Sequence, residues 1–160
     1  MSLRPATAAF RITAIVLTVV FIISEAAGLK TLAFTPGNAW HNVGLVFAYW
    51  IDMLPQGFCL GALWVATNVF HRLGRGEAFN PAVVKGLRGI GLNLVLSAVS
   101  AILIVPCVKP LFQDLGQNSL TLGLAFNANV ESVTIGLIGL VLYMVARQGT
   151  ALKAELESFV

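Results

Sequence analysis

The chain has 160 residues, of which 58% are hydrophobic and 11% charged, with ten Lys and Arg against seven Asp and Glu. A water-soluble domain of this length would carry about a quarter charged residues, so a soluble globular enzyme is excluded in favour of a lipid-embedded chain. The pI is near 9.2 and the mean hydropathy +0.86. With a net charge of only +3 and basic residues at the ends of apolar runs, membrane topology explains the basic balance and direct nucleic-acid binding is not expected.

Four apolar runs are long enough to span a bilayer, about 20 residues each. The first covers residues 12–29. Its Arg4, Arg11 and Ser24-Glu25-Ala26 also read as a cleavable signal peptide, which would leave three spans. The apolar run continues through Ala26-Ala27-Gly28-Leu29, which favours a retained span. The second covers residues 43–70 and is overlong for one perpendicular crossing; tilt, an interfacial first turn or a kink at Pro55 would absorb the excess. The third covers residues 87–108 and is expected to end at Pro106 and Pro110. The fourth covers residues 130–146. Together they define a single four-span membrane domain over residues 1–160.

Charge asymmetry orients it. Arg4, Arg11, Arg72, Arg75, Lys85, Arg88, Arg147 and Lys153 fall at the two termini and in the middle loop, whereas Lys30 and Lys109 fall in the other two loops. The expected topology therefore has both termini and the middle loop in the cytoplasm. Tyr143 suits the inner interfacial belt, Trp40, Tyr49 and Trp50 the outer one, and Trp64 a deeper position against other helices. Thr35-Pro36-Gly37-Asn38 is a turn signal, and Leu120–Phe126 reads as a short extended strip on the outer surface.

Chemistry-bearing residues are few. Glu25, Asp52 and Glu131 each lie at the outer end of a span, where ionisable groups suggest a cation or proton site if the helices bring them together. The plainer reading has each at the wet interface, solvated or paired with Lys30, Lys109 or His41, and it is favoured because charge at a helix end costs far less than at the centre. His41 and His71 lie near opposite surfaces and cannot converge on one haem iron. Cys59 and Cys107 form no CxxC motif or Cys/His cluster, and their different depths argue against a disulfide. Asn68, Asn93, Ser97 and Ser100 are candidate interhelical hydrogen-bond partners. Gly57 and Gly61 supply the strict small-xxx-small spacing, for close packing inside one chain or in a homo-oligomer. GxSxG, HExxH and GxxxxGK[ST] are absent from the sequence, and Gly74-Arg75-Gly76 follows an apolar run too long for a strand. No enzymatic activity and no cofactor are expected.

The middle loop is the densest polar segment. Arg72-Leu73-Gly74-Arg75-Gly76-Glu77-Ala78-Phe79-Asn80-Pro81, followed by Val84-Lys85-Gly86-Leu87-Arg88-Gly89-Ile90-Gly91, resembles the signature loop of small bacterial membrane proteins grouped as domain of unknown function 2975. The tail Ala146–Glu157 is similar to that family's ending. The resemblance implies a four-span protein, often encoded beside a small helix-turn-helix regulator, and it brings no established activity.

From the residues themselves, Asn80-Pro81 reads as a helix cap before a proline at the first helical position, with Phe79 as a hydrophobic anchor just outside. Arg72, Arg75, Lys85 and Arg88 suit anionic lipid headgroups. Leu152, Leu156 and Phe159 recur at i, i+4 and i+7 on a short helix. The expectation is an all-α integral membrane protein of the bacterial inner membrane, with four transmembrane helices, a short cytoplasmic loop helix and a C-terminal tail helix. Its expected partners are the lipid bilayer and a cytoplasmic regulator protein, docked on Arg72, Arg75, Glu77, Phe79, Arg88, Leu152 and Leu156. The alternative function is a small-solute or ion transporter subunit using Glu25, Asp52 and Glu131.

Overall fold

The computed structural model describes residues 4–33, 39–75, 81–114 and 128–158, and every regular element among them is helical. In chain order these are α1 (Arg4–Ala33), α2 (Ala39–Asp52), α3 (Leu54–Leu73), α4 (Pro81–Val99), a π-helical turn (Ser100–Ile104), α5 (Val105–Gln113) and α6 (Val130–Ser158). They form four stretches long and apolar enough to cross a membrane: Ala8–Lys30, Trp40–Leu73, Pro81–Gln113 and Val130–Gly149. Helices are the form a bilayer imposes on such runs, because each satisfies its own backbone hydrogen bonds.

The two longest stretches are interrupted where proline removes a donor. Pro55 has no N–H for the carbonyl of Ile51, and the helix breaks at Met53, whose N–H reaches the Tyr49 carbonyl at 3.3 Å. The excess length of the second run is thus divided between two helices. The third run does not end at its prolines: the helix continues through Pro106 and Pro110 to Gln113. The chain solves the missing Pro106 donor by slipping into a π turn, in which the Val105 N–H bonds the Ser100 carbonyl five residues back. Ser100 is fully buried in that turn, and its hydroxyl donates to the Leu96 carbonyl.

Two further expectations are corrected. The loop helix is not a separate element, because Pro81 starts α4 and nothing up to Leu87 interrupts it. The tail helix is likewise the continuation of α6 to Ser158; Gly149 alone costs only about 1 kcal/mol and does not break it. Residues 35–38, Glu77, Phe79, Asn80, the 120–126 strip and Phe159 lie outside the described residues.

Successive spans run antiparallel. Phe10 near the start of α1 meets Phe70 near the end of α3 at 4.9 Å between ring centroids, and Trp64 Nε1 donates to Thr18 Oγ1 at 3.0 Å. Trp64 therefore sits against α1, deep in the second span. The bundle consequently has a basic end, carrying Arg11, Arg72, Arg75, Arg88 and Arg147, and an acidic end, carrying Glu25, Asp52 and Glu131. Helix packing follows the chain: α1 on α2 and α3, α3 on α4, α2 on α5, and α4 on α6.

The tightest approach joins α4 and α6. At Gly91, a Cβ would lie 2.6 Å from the Gly139 carbonyl oxygen and 2.7 Å from the Tyr143 nitrogen, so the two backbones meet without side chains between them. Gly57, by contrast, faces open space, and Gly61 lies beside Asn93. Inside one chain the close backbone contact is therefore at Gly91 and Gly139 and not at the Gly57–Gly61 seam. Spacing on one helix cannot say which glycine faces a partner.

The interior is built from small residues. Ala14, Ala48, Ala62, Ala98 and Ala146 are buried together with Thr67, Ser97 and Ser132, while large apolar side chains such as Ile12 (62% exposed) and Ile23 (63%) point outward. In water such a surface would be untenable; in lipid it is the favourable one, and close packing of small residues supplies helix association.

Candidate functional site

Helical periodicity carries five elements to one concavity near the acidic end. On α1, Leu17, Val20, Phe21, Ser24 and Glu25 recur at three- and four-residue steps and line one wall. On α3, Pro55, Gln56, Cys59, Leu60 and Leu63 do the same. Ser97, Ala98 and Ala101 contribute the floor at the α4–π-turn junction, and Glu131, Ser132 and Ile135 close the side formed by α6. The volume is about 690 Å³.

Its polar groups are positioned by specific bonds. Ser97 Oγ donates to the Pro55 carbonyl at 2.7 Å, tying the π-turn region to the start of α3. That uses the Ser97 proton, so the Cys59 thiol, 3.1 Å away, donates to Ser97 Oγ in turn. Both cysteines are free thiols. Asn129 Oδ1 accepts from the Ser132 N–H at 2.7 Å, the N-cap geometry that starts α6 and places Glu131 in its first turn. A carboxylate there gains from the helix dipole. Glu25 is fixed from another direction: the Tyr49 hydroxyl donates to its carboxylate at 2.5 Å. The approach depends on Gly28, where a Cβ would collide with the Tyr49 hydroxyl.

The three expected carboxylates do not converge as a set. Glu25 and Glu131 border the same cavity, whereas Asp52 is paired with Lys109 at 2.9 Å on an exposed face. Asp52 belongs to α2, which the break at Met53 offsets from α3, and so it meets α5 instead. For Asp52 the plainer reading, pairing with Lys109, describes the geometry. Among the described residues, no group of three or more His, Cys, Asp or Glu could hold a metal ion.

Of the interhelical candidates, Ser97 bonds across helices through its hydroxyl, whereas Asn93 Nδ2 returns to the Gly89 carbonyl and Ser100 to Leu96 on their own helix. Tyr49 and Asn129 were not legible as site residues. The small residue Gly28, one turn beyond Glu25, marks that something packs beside the carboxylate, but it does not identify Tyr49.

At the basic end, Asn68, His71, Arg72 and Arg75 line a polar recess of about 400 Å³. Arg88 is engaged within the molecule: it donates to the Tyr143 hydroxyl at 3.0 Å and lies 5.1 Å from that ring's centroid. Leu152 and Leu156 are helical residues of α6, about one turn apart.

Fold and composition define a helical chain with four membrane-spanning candidates and a cavity between them. A family model described as "Protein of unknown function (DUF2975)" matches residues 3–160, and the chain belongs to that family. Neither a curated protein nor a solved structure matches it.

Proposed function

We propose that this protein is a non-enzymatic, sensor-like component of the bacterial inner membrane, with both termini cytoplasmic, that holds a cytoplasmic regulator at the membrane. The supporting observation is the continuity of α6. One unbroken helix of 29 residues starts beside the cavity at Glu131 and runs to the tail positions Leu152 and Leu156. At 1.5 Å per residue it is about 44 Å long, beyond the roughly 30 Å of a hydrocarbon core. A change at the cavity that tilts or slides α6 therefore moves its far end as a rigid lever. The regulator reading rests on the helix-turn-helix partner that the family resemblance implies, with Arg72, Arg75 and the tail as its docking surface.

The test is capture of the full-length chain in mild detergent, compared with a chain in which Leu152 and Leu156 are both replaced by Asp. Recovery of a DNA-binding protein by the first and not the second supports the reading. No regulator recovered, together with an unchanged transcriptome on deletion, sinks it. A second reading, a small-solute or ion transporter subunit, draws on Glu25 and Glu131 bordering one cavity. Under that reading, replacing both by amides abolishes flux in proteoliposomes; unaltered flux removes it.

A further inference from the structure

We infer that the cavity at the acidic end is a binding site for a lipophilic organic cation that enters from the bilayer. Its charge is unbalanced. Glu25 and Glu131 line it, and among the described residues no Lys, Arg or His does. Among the described residues neither carboxylate has a cationic partner, whereas Asp52, outside the cavity, has Lys109. Glu25 is half-buried beside apolar walls, where an accompanying positive charge lowers the cost of its own, and Glu131 stands exposed at the cavity's edge within reach of the same occupant.

The shape and lining decide what kind of cation. About 690 Å³ is the size of pocket that holds a drug-sized organic molecule. Leu17, Val20, Phe21, Leu60, Leu63 and Ile135 provide apolar walls for its body. A hard metal ion is the wrong occupant: calcium takes six to eight oxygen ligands, and magnesium demands a near-ideal octahedron. Two carboxylates on separate helices, with a Tyr49 hydroxyl already committed to one of them, do not supply that shell.

The packing order supplies the entrance. α1 rests on α2 and α3, and α6 rests on α4; among the described residues no comparable seam joins α1 to α6. The cavity lies in that unclosed gap, where α1 presents its apolar surface, so a lipid-dissolved cation reaches Glu25 and Glu131 sideways. The Tyr49 bond holds Glu25 in place for it, with Gly28 leaving room. This site stands whether its occupancy signals through α6 or precedes transport, and its test does not require the cytoplasmic partner.

The experiment uses the full chain in phosphatidylcholine nanodiscs, titrated with tetraphenylphosphonium and separately with tetraphenylborate, an anion of nearly the same shape, after subtraction of empty discs. Saturable binding of the phosphonium alone is expected. Glu131→Gln should weaken it on the order of tenfold, the loss of one charge-assisted contact, and Glu25→Gln by a similar factor, while Asp52→Asn leaves it unchanged. Glu131 is exposed and among the described residues no side-chain hydrogen bond restrains it, so that variant keeps its fold and decides the matter even if Glu25→Gln does not. Uptake no greater than in empty discs, equal binding of the borate, or undiminished affinity in Glu131→Gln would overturn the inference.

Discussion

Replacing Gly91 by Ala should destabilise the bundle although alanine is the better helix former. The added methyl would lie 2.6 Å from the Gly139 carbonyl oxygen and 2.7 Å from the Tyr143 nitrogen. Both are backbone atoms of α6, so no side chain can rotate away. Restoring an ordinary contact of at least 3.4 Å moves α6 back by about 0.8 Å. A gap of that size forfeits roughly a quarter to a half of the dispersion energy of the atoms on either side. Overpacking of this kind costs about 1–3 kcal/mol, and the helix-propensity gain of Gly to Ala returns roughly 0.5–1. The net loss is centred near about 1 kcal/mol, or a fall of roughly 2–4 °C in Tm for a chain of this size. Thermal unfolding in mild detergent, followed by circular dichroism and by retention on size exclusion, measures it. Gly57→Ala is the control: a Cβ there meets nothing within 4 Å, so Tm should hold or rise. If Gly91→Ala is as stable as Gly57→Ala, the two backbones do not meet as described.

Three other outcomes follow from bonds in and around the cavity. Ser97→Ala removes the bond to the Pro55 carbonyl and the acceptor of the Cys59 thiol, so it should cost about 0.6–2 kcal/mol and speed maleimide labelling of Cys59. Unchanged stability and labelling would mean that the α3 to π-turn tie is not formed. Tyr49→Phe leaves the Glu25 carboxylate without its donor and should lower stability by about 1–2 kcal/mol. Gly28→Ala should lower it as well, by driving the phenol away; a wild-type melting curve for both would refute the contact. In the Lys109–Asp52 pair the carboxylate is exposed and the lysine half-buried, so a double-mutant cycle should give a coupling below about 1 kcal/mol that fades in high salt. A larger, salt-independent coupling would place that pair out of water.

Much of the architecture is legible in single residues. The apolar runs are long enough for the thickness of a bilayer core, and the helix is the form that satisfies a backbone where lipid offers no partner. Pro81 marks the start of α4 because a proline suits the first helical position. Pro106 and Pro110 read as terminators by the rule for water-soluble helices, and that rule fails here: a π turn re-registers the ladder ahead of Pro106, and α5 runs on through Pro110. The tail reads as a separate helix only because its polar residues leave the apolar pattern; composition changes there, and helix-forming propensity does not.

The candidate site divides in the same way. That Glu25, Asp52 and Glu131 lie toward one end of the molecule follows from position along the runs. Which of them meet depends on rotation about each helix axis. The break at Met53 turns Asp52 toward Lys109 and leaves Glu25 and Glu131 bordering the cavity.

By itself, then, the amino-acid order determined the spans and the segregation of acidic from basic ends, because both depend on one-dimensional quantities: run length, hydropathy and charge count. The glycine seam between α4 and α6, the Tyr49–Glu25 bond and the cavity were decided only by tertiary structure. Each depends on which face of one helix is turned toward another, and a helix that is apolar all round carries no such instruction in its own sequence.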